Sequence, residues 1–367
     1  MKYLVVTDTP APWREKVYEN IFKHYGDDFH VVYCSYKEQR RLWKFQLGEY
    51  PKTFLKNITI SRKNRERFIN FGIISFLLKN KPEIIIWFGY QPTVILALLC
   101  SKFIKSKLAV LSDTWVERNK NISWFKICAR KIAYKYFSDV FIGASIQTLN
   151  MYRSFNKNIK DEQLFLSALC ADNEYFNKNL NGKNIKSKYD IMFSGRIVGI
   201  KNPLFFAEVA IKIKNKIGNC SVLIIGDGDE KLKNDMFNAL KENGINYHYA
   251  GFIEHRDLPE YYAQSKVLLL PTSEDCWGVV INEAMVAGLP VITTKMTAAA
   301  GELVLDGING FVLPLDSEQW AEKITGLLKN SVELKSFSKC AKEMVNGFNF
   351  QNAADGIISA IEYLKGK

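Results

Sequence analysis

Residues 271–294 read PTSEDCWGVVINEAMVAGLPVITT and hold the densest set of groups able to do chemistry. An apolar run, 267–271, leads into Ser273-Glu274-Asp275, then Trp277-Gly278, and helical spacing begins near Val279. The first amides of such a helix, Gly278, Val279 and Val280, have no partner within it, which suits a diphosphate. Glu283 lies about one turn inside. A carboxylate beside phosphate is unfavourable unless it accepts hydrogen bonds, and ribose or hexose hydroxyls are such donors. Asp275 precedes the helix, so the two acids bracket its start. A capping residue plus a surface charge would give the same pair.

Three shorter segments share this character. Ser194-Gly195-Arg196 ends an apolar run, and Lys201-Asn202-Pro203 opens a helix. A strand, a glycine, two cations and a helix N-terminus make an anion site, although cations also occur at helix starts without one. Gly226-Asp227-Gly228 follows VLII but lacks the third glycine of a dinucleotide fingerprint; it either lets a ligand approach the backbone or makes a tight turn. Gly251 and Phe252 either wall a base-binding slot or form a turn with a core aromatic.

These segments need a scaffold that brings strand ends together. Apolar runs at 3–7, 29–34, 84–88, 107–111 and 140–144 alternate with helical patterns at 14–25 and 93–103. That alternation predicts a parallel sheet covered by helices on both faces. It restarts after a polar Asn/Lys-rich stretch, with strands at 190–194, 221–226, 247–251, 267–271 and 291–294 and helices at 203–216, 229–243, 257–263 and 280–287. Two α/β domains are expected, 1–172 and 173–349, with a linker near 170–185. A final helix at 350–364 is expected to pack back on the first domain. Doubly wound domains bind ligands beyond the C-terminal ends of their strands, where all these loops lie.

The second half resembles glycosyltransferase family 4, retaining enzymes of the GT-B architecture. The family pattern E-x-[FW]-G-x(4)-E-A-M-x-x-G-x-P-V-I is met by DCWGVVINEAMVAGLPVI, residues 275–292. Gly195-Arg196 with Lys201 resembles its G-R-x(4)-K site, and Gly226-Asp227-Gly228 its G-D-G turn. Gly251-Phe252 with Leu258-Pro259-Tyr261 resembles its G-F-x(5)-L-x-x-Y element, and 306–311 its D-G-x-N-G-[FL] turn. The resemblance implies two Rossmann-like domains facing each other across a cleft. It implies that Arg196 and Lys201 hold the diphosphate of a UDP- or GDP-sugar, that Glu283 binds the nucleotide ribose, and that Trp277–Val280 present amides to the phosphates. Cys276 lies within this donor loop. The sugar is contacted at the first acid position, here Asp275 rather than the usual Glu, with Glu274 adjacent. The resemblance further implies a metal-independent hexosyl transfer with retention by front-face substitution, the leaving phosphate helping to deprotonate the acceptor. A sugar-nucleotide epimerase and a catalytically silent GT-B binding module are the competing readings.

In the first half, 9–14 (TPAPWR) replaces the family's glycine-rich loop. Arg14 is expected at the acceptor or a phosphate, or else solvated at the helix start. Asp113 either orients an acceptor hydroxyl or caps the next helix. The chain's net charge of +12 resides wholly in residues 1–174, which hold 28 basic and 16 acidic side chains. That asymmetry points to an acidic partner. Two basic stretches interleaved with aromatic or apolar residues, 52–67 (Lys52, Lys56, Arg62, Lys63, Arg65, Arg67) and 124–137 (Lys126, Arg130, Lys131, Lys135 with Trp124, Phe125, Tyr134), carry it. As basic amphipathic helices they would either lie on an anionic membrane surface or turn their apolar side to the core. The family's lipid-linked acceptors favour a phosphorylated lipid carrier over nucleic acid. Seven scattered cysteines without a CxxC pair and four unclustered histidines predict reduced thiols and no zinc site. The N-terminus reads as a buried strand rather than a leader, and the apolar stretches at 68–78 and 93–99 fall short of the ~18 residues a span needs. A cytoplasmic protein, peripheral at the inner membrane face, is expected.

Overall fold

The computed structural model describes residues 1–37, 46–62, 65–115, 123–183 and 185–366. The chain forms two compact units. Unit 1 is Met1–Leu169 with the chain from Phe350 onward, and unit 2 is Cys170–Asn349.

Unit 1 runs β1 (Tyr3–Thr7), α1 (Pro12–Tyr25), β2 (Phe29–Tyr33), β3 (Lys52–Phe54), β4 (Ile58–Arg62), β5 (Arg65–Ile69), α2 (Gly72–Asn80), β6 (Ile84–Phe88), α3 (Pro92–Ile104), β7 (Lys107–Ser112), α4 (Trp124–Tyr136), β8 (Val140–Gly143), α5 (Ile146–Phe155) and β9 (Leu164–Leu166). Its parallel sheet has the order β3-β2-β1-β6-β7-β8-β9. The central strands are continuous apolar runs because both faces are covered: Leu4, Val5, Val6, Ile85 and Ile86 are fully buried. Prolines at the first turn of α1 and α3 pre-set the helical φ.

Unit 2 runs α6 (Asn173–Leu180), β10 (Tyr189–Ser194), α7 (Pro203–Ile217), β11 (Ser221–Ile225), α8 (Glu230–Glu242), β12 (Asn246–Gly251), α9 (Leu258–Ala263), β13 (Ser265–Leu270), α10 (Val279–Val286), β14 (Val291–Thr293), β15 (Gly310–Val312), α11 (Ser317–Lys329) and α12 (Ser331–Val345). Its sheet is parallel, in the order β12-β11-β10-β13-β14-β15. The order reverses between β10 and β13, as it does between β1 and β6 in unit 1, and ligands of doubly wound sheets bind at such switch points. A last helix, α13 (Phe350–Lys365), packs on α1, β8 and β9 of unit 1. Gly356 makes this possible, since a Cβ there would lie 1.7 Å from the Leu166 carbonyl oxygen.

Two expectations fail. The stretch expected as a linker contains α6, because Asp172 caps its first turn, accepting from the Tyr175 amide at 3.0 Å, and Phe176 is buried. The basic stretch at 52–67 is no helix. It forms β3 and the antiparallel pair β4–β5, and Ile58 and Ile60 of β4 are exposed along with the residue between them. Lys63 lies outside the described residues. The second basic stretch is helix α4. Its inner face buries Ala133 and Tyr134, and Arg130 packs over the Tyr90 and Phe155 rings. Trp124, Phe125, Ile132 and Tyr136 are exposed beside exposed Lys126, Lys131 and Lys135. On α3, Ile95, Leu99 and Phe103 form a second exposed stripe at helical spacing. Lys102 of α3 lies 5.2 Å from the Phe137 ring at the end of α4. Among the described residues no helix is long and apolar enough to cross a membrane.

Candidate functional site

The loops after β10, β11, β13 and β14 are laced together at the switch point of unit 2. The Gly195 amide donates to the Ile225 carbonyl at 3.0 Å, the Gly226 amide to Gly251 at 2.8 Å, and the Ile197 amide to Asp227 at 3.0 Å. The Ser273 amide and the Thr272 hydroxyl both donate to the Ile200 carbonyl, at 2.8 and 3.1 Å. Asn202 takes a left-handed turn at φ 49° and its side-chain amide donates to the Pro271 carbonyl at 2.7 Å. The Asp275 amide donates to Met296 in the loop beyond β14 at 2.9 Å. These bonds tie the loops beyond the strand ends to one another.

This lacing brings Lys201 and Asp275 together as an ion pair with little exposure. The other Asp275 oxygen accepts from the Trp277 amide at 3.4 Å. Asp275 is therefore no helix cap. The N-cap of α10 is Gly278, at φ 84°, and no side chain caps the helix. The Trp277 indole is fully buried, donating to Asn282 at 2.8 Å, so only its backbone borders the loop. Gly278 to Val280 head the helix at the C-terminal side of the sheet. Glu274 and Cys276 are half-buried in the same loop, and the Glu274 amide donates to the Thr272 hydroxyl. Arg196 is exposed beside Gly195. Phe252 is exposed next to Gly251, so it is not a core aromatic.

Glu283 sits inside α10, half-buried, and accepts from the Tyr262 hydroxyl at 2.6 Å. Burial pushes its carboxyl up to about 7, and the tyrosine hydrogen bond opposes this. Tyr262 in turn bonds Ser194, the last residue of β10, at 2.8 Å. Sequence reasoning singled out Tyr261. The structure puts Tyr262, fully buried, against Glu283 and leaves Tyr261 half-exposed. Neighbouring tyrosines three and four residues after Leu258 share its helix face, so sequence carries no signal that separates them.

Unit 1 has a small cavity of about 60 Å³ at its own switch point, lined by Asp8, Trp13, Arg14, Tyr33 and Asp113 among others. Arg14 is not solvated. It is 6% exposed; one guanidinium nitrogen donates to the Ser167 hydroxyl at 2.9 Å and the other has no hydrogen-bond partner. Asp113 follows β7, and the next helix among the described residues starts only at Trp124, so Asp113 does not cap it. Glu15, next to Arg14, receives the Tyr33 and Tyr50 hydroxyls at 3.1 and 2.7 Å and the Gly48 amide at 2.9 Å, which locks the cavity's outer wall.

Two parallel, doubly wound units in one chain, each with a polar switch point, define the GT-B class of fold. The family model described as "Glycosyl transferases group 1" matches residues 188–330. An uncharacterized 41.2 kDa protein in the cps region of Klebsiella pneumoniae is 30% identical over 85% of this chain and 86% of its own length. The Escherichia coli UDP-Gal:alpha-D-GlcNAc-diphosphoundecaprenol alpha-1,3-galactosyltransferase is 26% identical over 62% of each chain. The crystal structure of Anabaena Alr3699/HepE in complex with UDP shares the fold, with a TM-score of 0.76 over 99% of this chain and all of that one at 15% identity. The chain belongs to the glycosyl transferases group 1 family and is a glycosyltransferase.

Proposed function

We propose that the enzyme moves a hexosyl group, with retention, from a UDP- or GDP-sugar to a lipid-linked or surface-glycan acceptor in bacterial polysaccharide, lipopolysaccharide or glycoconjugate assembly. The observation that carries this reading is the convergence of Lys201, Asp275 and the uncapped start of α10 at the unit 2 switch point, with Arg196 beside them. The relative that by its name uses UDP-Gal and a diphosphoundecaprenol-linked acceptor supports the donor and acceptor classes.

The chemistry follows from charge. The leaving nucleoside diphosphate gains negative charge as the glycosidic bond breaks. Arg196, Lys201 and the amides of Gly278, Val279 and Val280 stabilise it without reorganising. Asp275 pairs with Lys201 until the donor phosphate displaces it, then turns to the sugar's hydroxyls. Glu283 accepts the ribose hydroxyls. No step in this scheme draws on a metal. The leaving phosphate assists deprotonation of the acceptor on the same face. Unit 1 supplies the acceptor site, with Arg14's open N–H and Asp113 contacting its hydroxyls. The exposed apolar and basic faces of α4 and α3 rest on the anionic inner face of the cell membrane, where a lipid-linked acceptor is found.

The experiment is Arg196→Ala with Lys201→Ala, assayed with UDP- and GDP-sugars. Transfer should fall at least a hundredfold while the circular dichroism spectrum stays unchanged. Near-normal turnover would sink the phosphate assignment.

A further inference from the structure

Ser194, Tyr262 and Glu283 come from three elements, β10, α9 and α10, and form one chain of hydrogen bonds. A hydroxyl has one proton to give. Since the Tyr262 hydroxyl donates to Glu283, the Ser194 hydroxyl donates to Tyr262. All polarity in the chain therefore runs toward the carboxylate. Tyr262 is fully buried and Ser194 is 4% exposed. The tyrosine ring is held on its flank by Phe176 of α6, with ring centres 6.0 Å apart, and Phe176 is itself fully buried. Nothing in this arrangement caps a helix or closes a turn. Its net effect is to occupy one lone pair of one Glu283 oxygen and fix the direction of the others.

We infer that Tyr262, braced by Ser194, is a positioning residue for Glu283: it orients the carboxylate so that its remaining lone pairs meet the two ribose hydroxyls of the donor nucleotide. This rests on the reading of Glu283 as the ribose acceptor. A free carboxylate inside α10 would rotate among several orientations, and only some accept two hydroxyls at once. The relay removes that freedom before the nucleotide arrives, and preorganisation of this kind raises affinity. The relay also favours the ionised, accepting form. α6, α9, α12, β13 and β14 pack against α10, and Tyr262 on α9 is the titratable group that acts on Glu283.

The test uses the full chain and calorimetric titration with UDP, GDP and their 2′,3′-dideoxy forms from pH 6 to 8.5. Tyr262→Phe should weaken the ribonucleotide that the wild type binds by about tenfold. It should cost nothing further in a Glu283→Gln background, and nothing against the dideoxy form. The pH below which affinity falls should move upward in Tyr262→Phe and, by a smaller amount, in Ser194→Ala. If Tyr262→Phe no longer folds at the assay temperature, Ser194→Ala carries the same cycle. Equal losses in the Glu283→Gln background, equal losses against the dideoxy form, or an unmoved pH midpoint would overturn the relay. If instead Glu283→Gln leaves the preference for ribose over dideoxyribose intact, or neither diphosphate binds, the ribose reading itself falls.

Discussion

Replacing Gly226 with alanine sets two costs against each other that its neighbours separate. Gly226 has φ 117°, a region side chains rarely adopt, and a Cβ there would lie 1.9 Å from the Gly195 carbonyl oxygen. Gly195 has φ 142° but open space around its Cβ direction. Gly228 has no such φ, yet its Cβ would lie 2.2 Å from the Ile197 oxygen. Gly195→Ala therefore isolates backbone strain, worth about 1–3 kcal/mol. Gly228→Ala isolates the clash, worth about 1–3 kcal/mol as overpacking. Gly226→Ala carries both, about 2–6 kcal/mol, against a domain stability of about 5–15 kcal/mol. Since Cβ contacts stay beyond 3.0 Å, the β10 and β11 loops must part by about 1 Å. That movement strains the bond from the Gly226 amide to Gly251 and the bond from the Gly195 amide to Ile225. Thermal melts followed by circular dichroism should rank the variants, with Gly226→Ala lowest by roughly 5–20 °C, taking about 2–4 °C per kcal/mol for a unit of this size. UDP or GDP affinity should fall in the same order. If Gly226→Ala melts no lower than Gly195→Ala, the two loops are not in the contact described, and the account of a pre-fixed site fails.

Asp275→Asn should separate binding from turnover. With its carboxylate gone, Lys201 is free for phosphate, so UDP or GDP should bind several-fold tighter while transfer falls at least tenfold; weaker nucleotide binding would show that the ion pair does not compete with phosphate. Glu283 titrates near 7 against an ordinary value near 4.5, which makes its folded form the better proton binder. The stability it lends the ligand-free protein is present below about pH 4.5 and lost as pH rises toward 7, so the melting temperature of wild type minus that of Glu283→Gln should fall from pH 5 to pH 8. A constant difference would refute the raised value. For the membrane reading, Trp124→Ser with Phe125→Ser should weaken binding to phosphatidylglycerol vesicles about tenfold or more, and binding to phosphatidylcholine should be slight throughout; equal binding to both vesicles would count against it.

Unit 2 was legible because its chemistry is local. A strand, its loop and the following helix start are contiguous, so 191–203 and 267–283 could be read as strand ends and helix mouths from spacing alone. The alternation of apolar runs also predicted both parallel sheets. The shortfalls are contacts that only tertiary structure creates. Lys201 meets Asp275 across 74 positions of sequence because two loops cross at the switch point. In sequence the pair β4–β5 resembles a basic helix because charges at 62–67 hide its period of two, and Ile58, Ile60, Phe68 and Ile69 are too few to show it. Sequence does not separate the two roles of Arg14 because its burial depends on Ser167, which arrives from the far end of unit 1.

The same contrast bears on where selectivity would reside under the proposed function. The diphosphate is common to UDP- and GDP-sugars, and the groups proposed to face it follow strands directly, so short motifs suffice to encode them. Under the proposed function the ribose end is met by Glu283, which is bonded to Tyr262 and through it to Ser194, from two other elements. Such a dependence leaves the motif intact when it is broken. A chain that kept residues 275–292 unchanged but replaced Tyr262 by phenylalanine would still match the family pattern, yet by the relay argument would discriminate poorly between ribose and deoxyribose. On that argument specificity would follow from the hydrogen-bond direction through buried side chains.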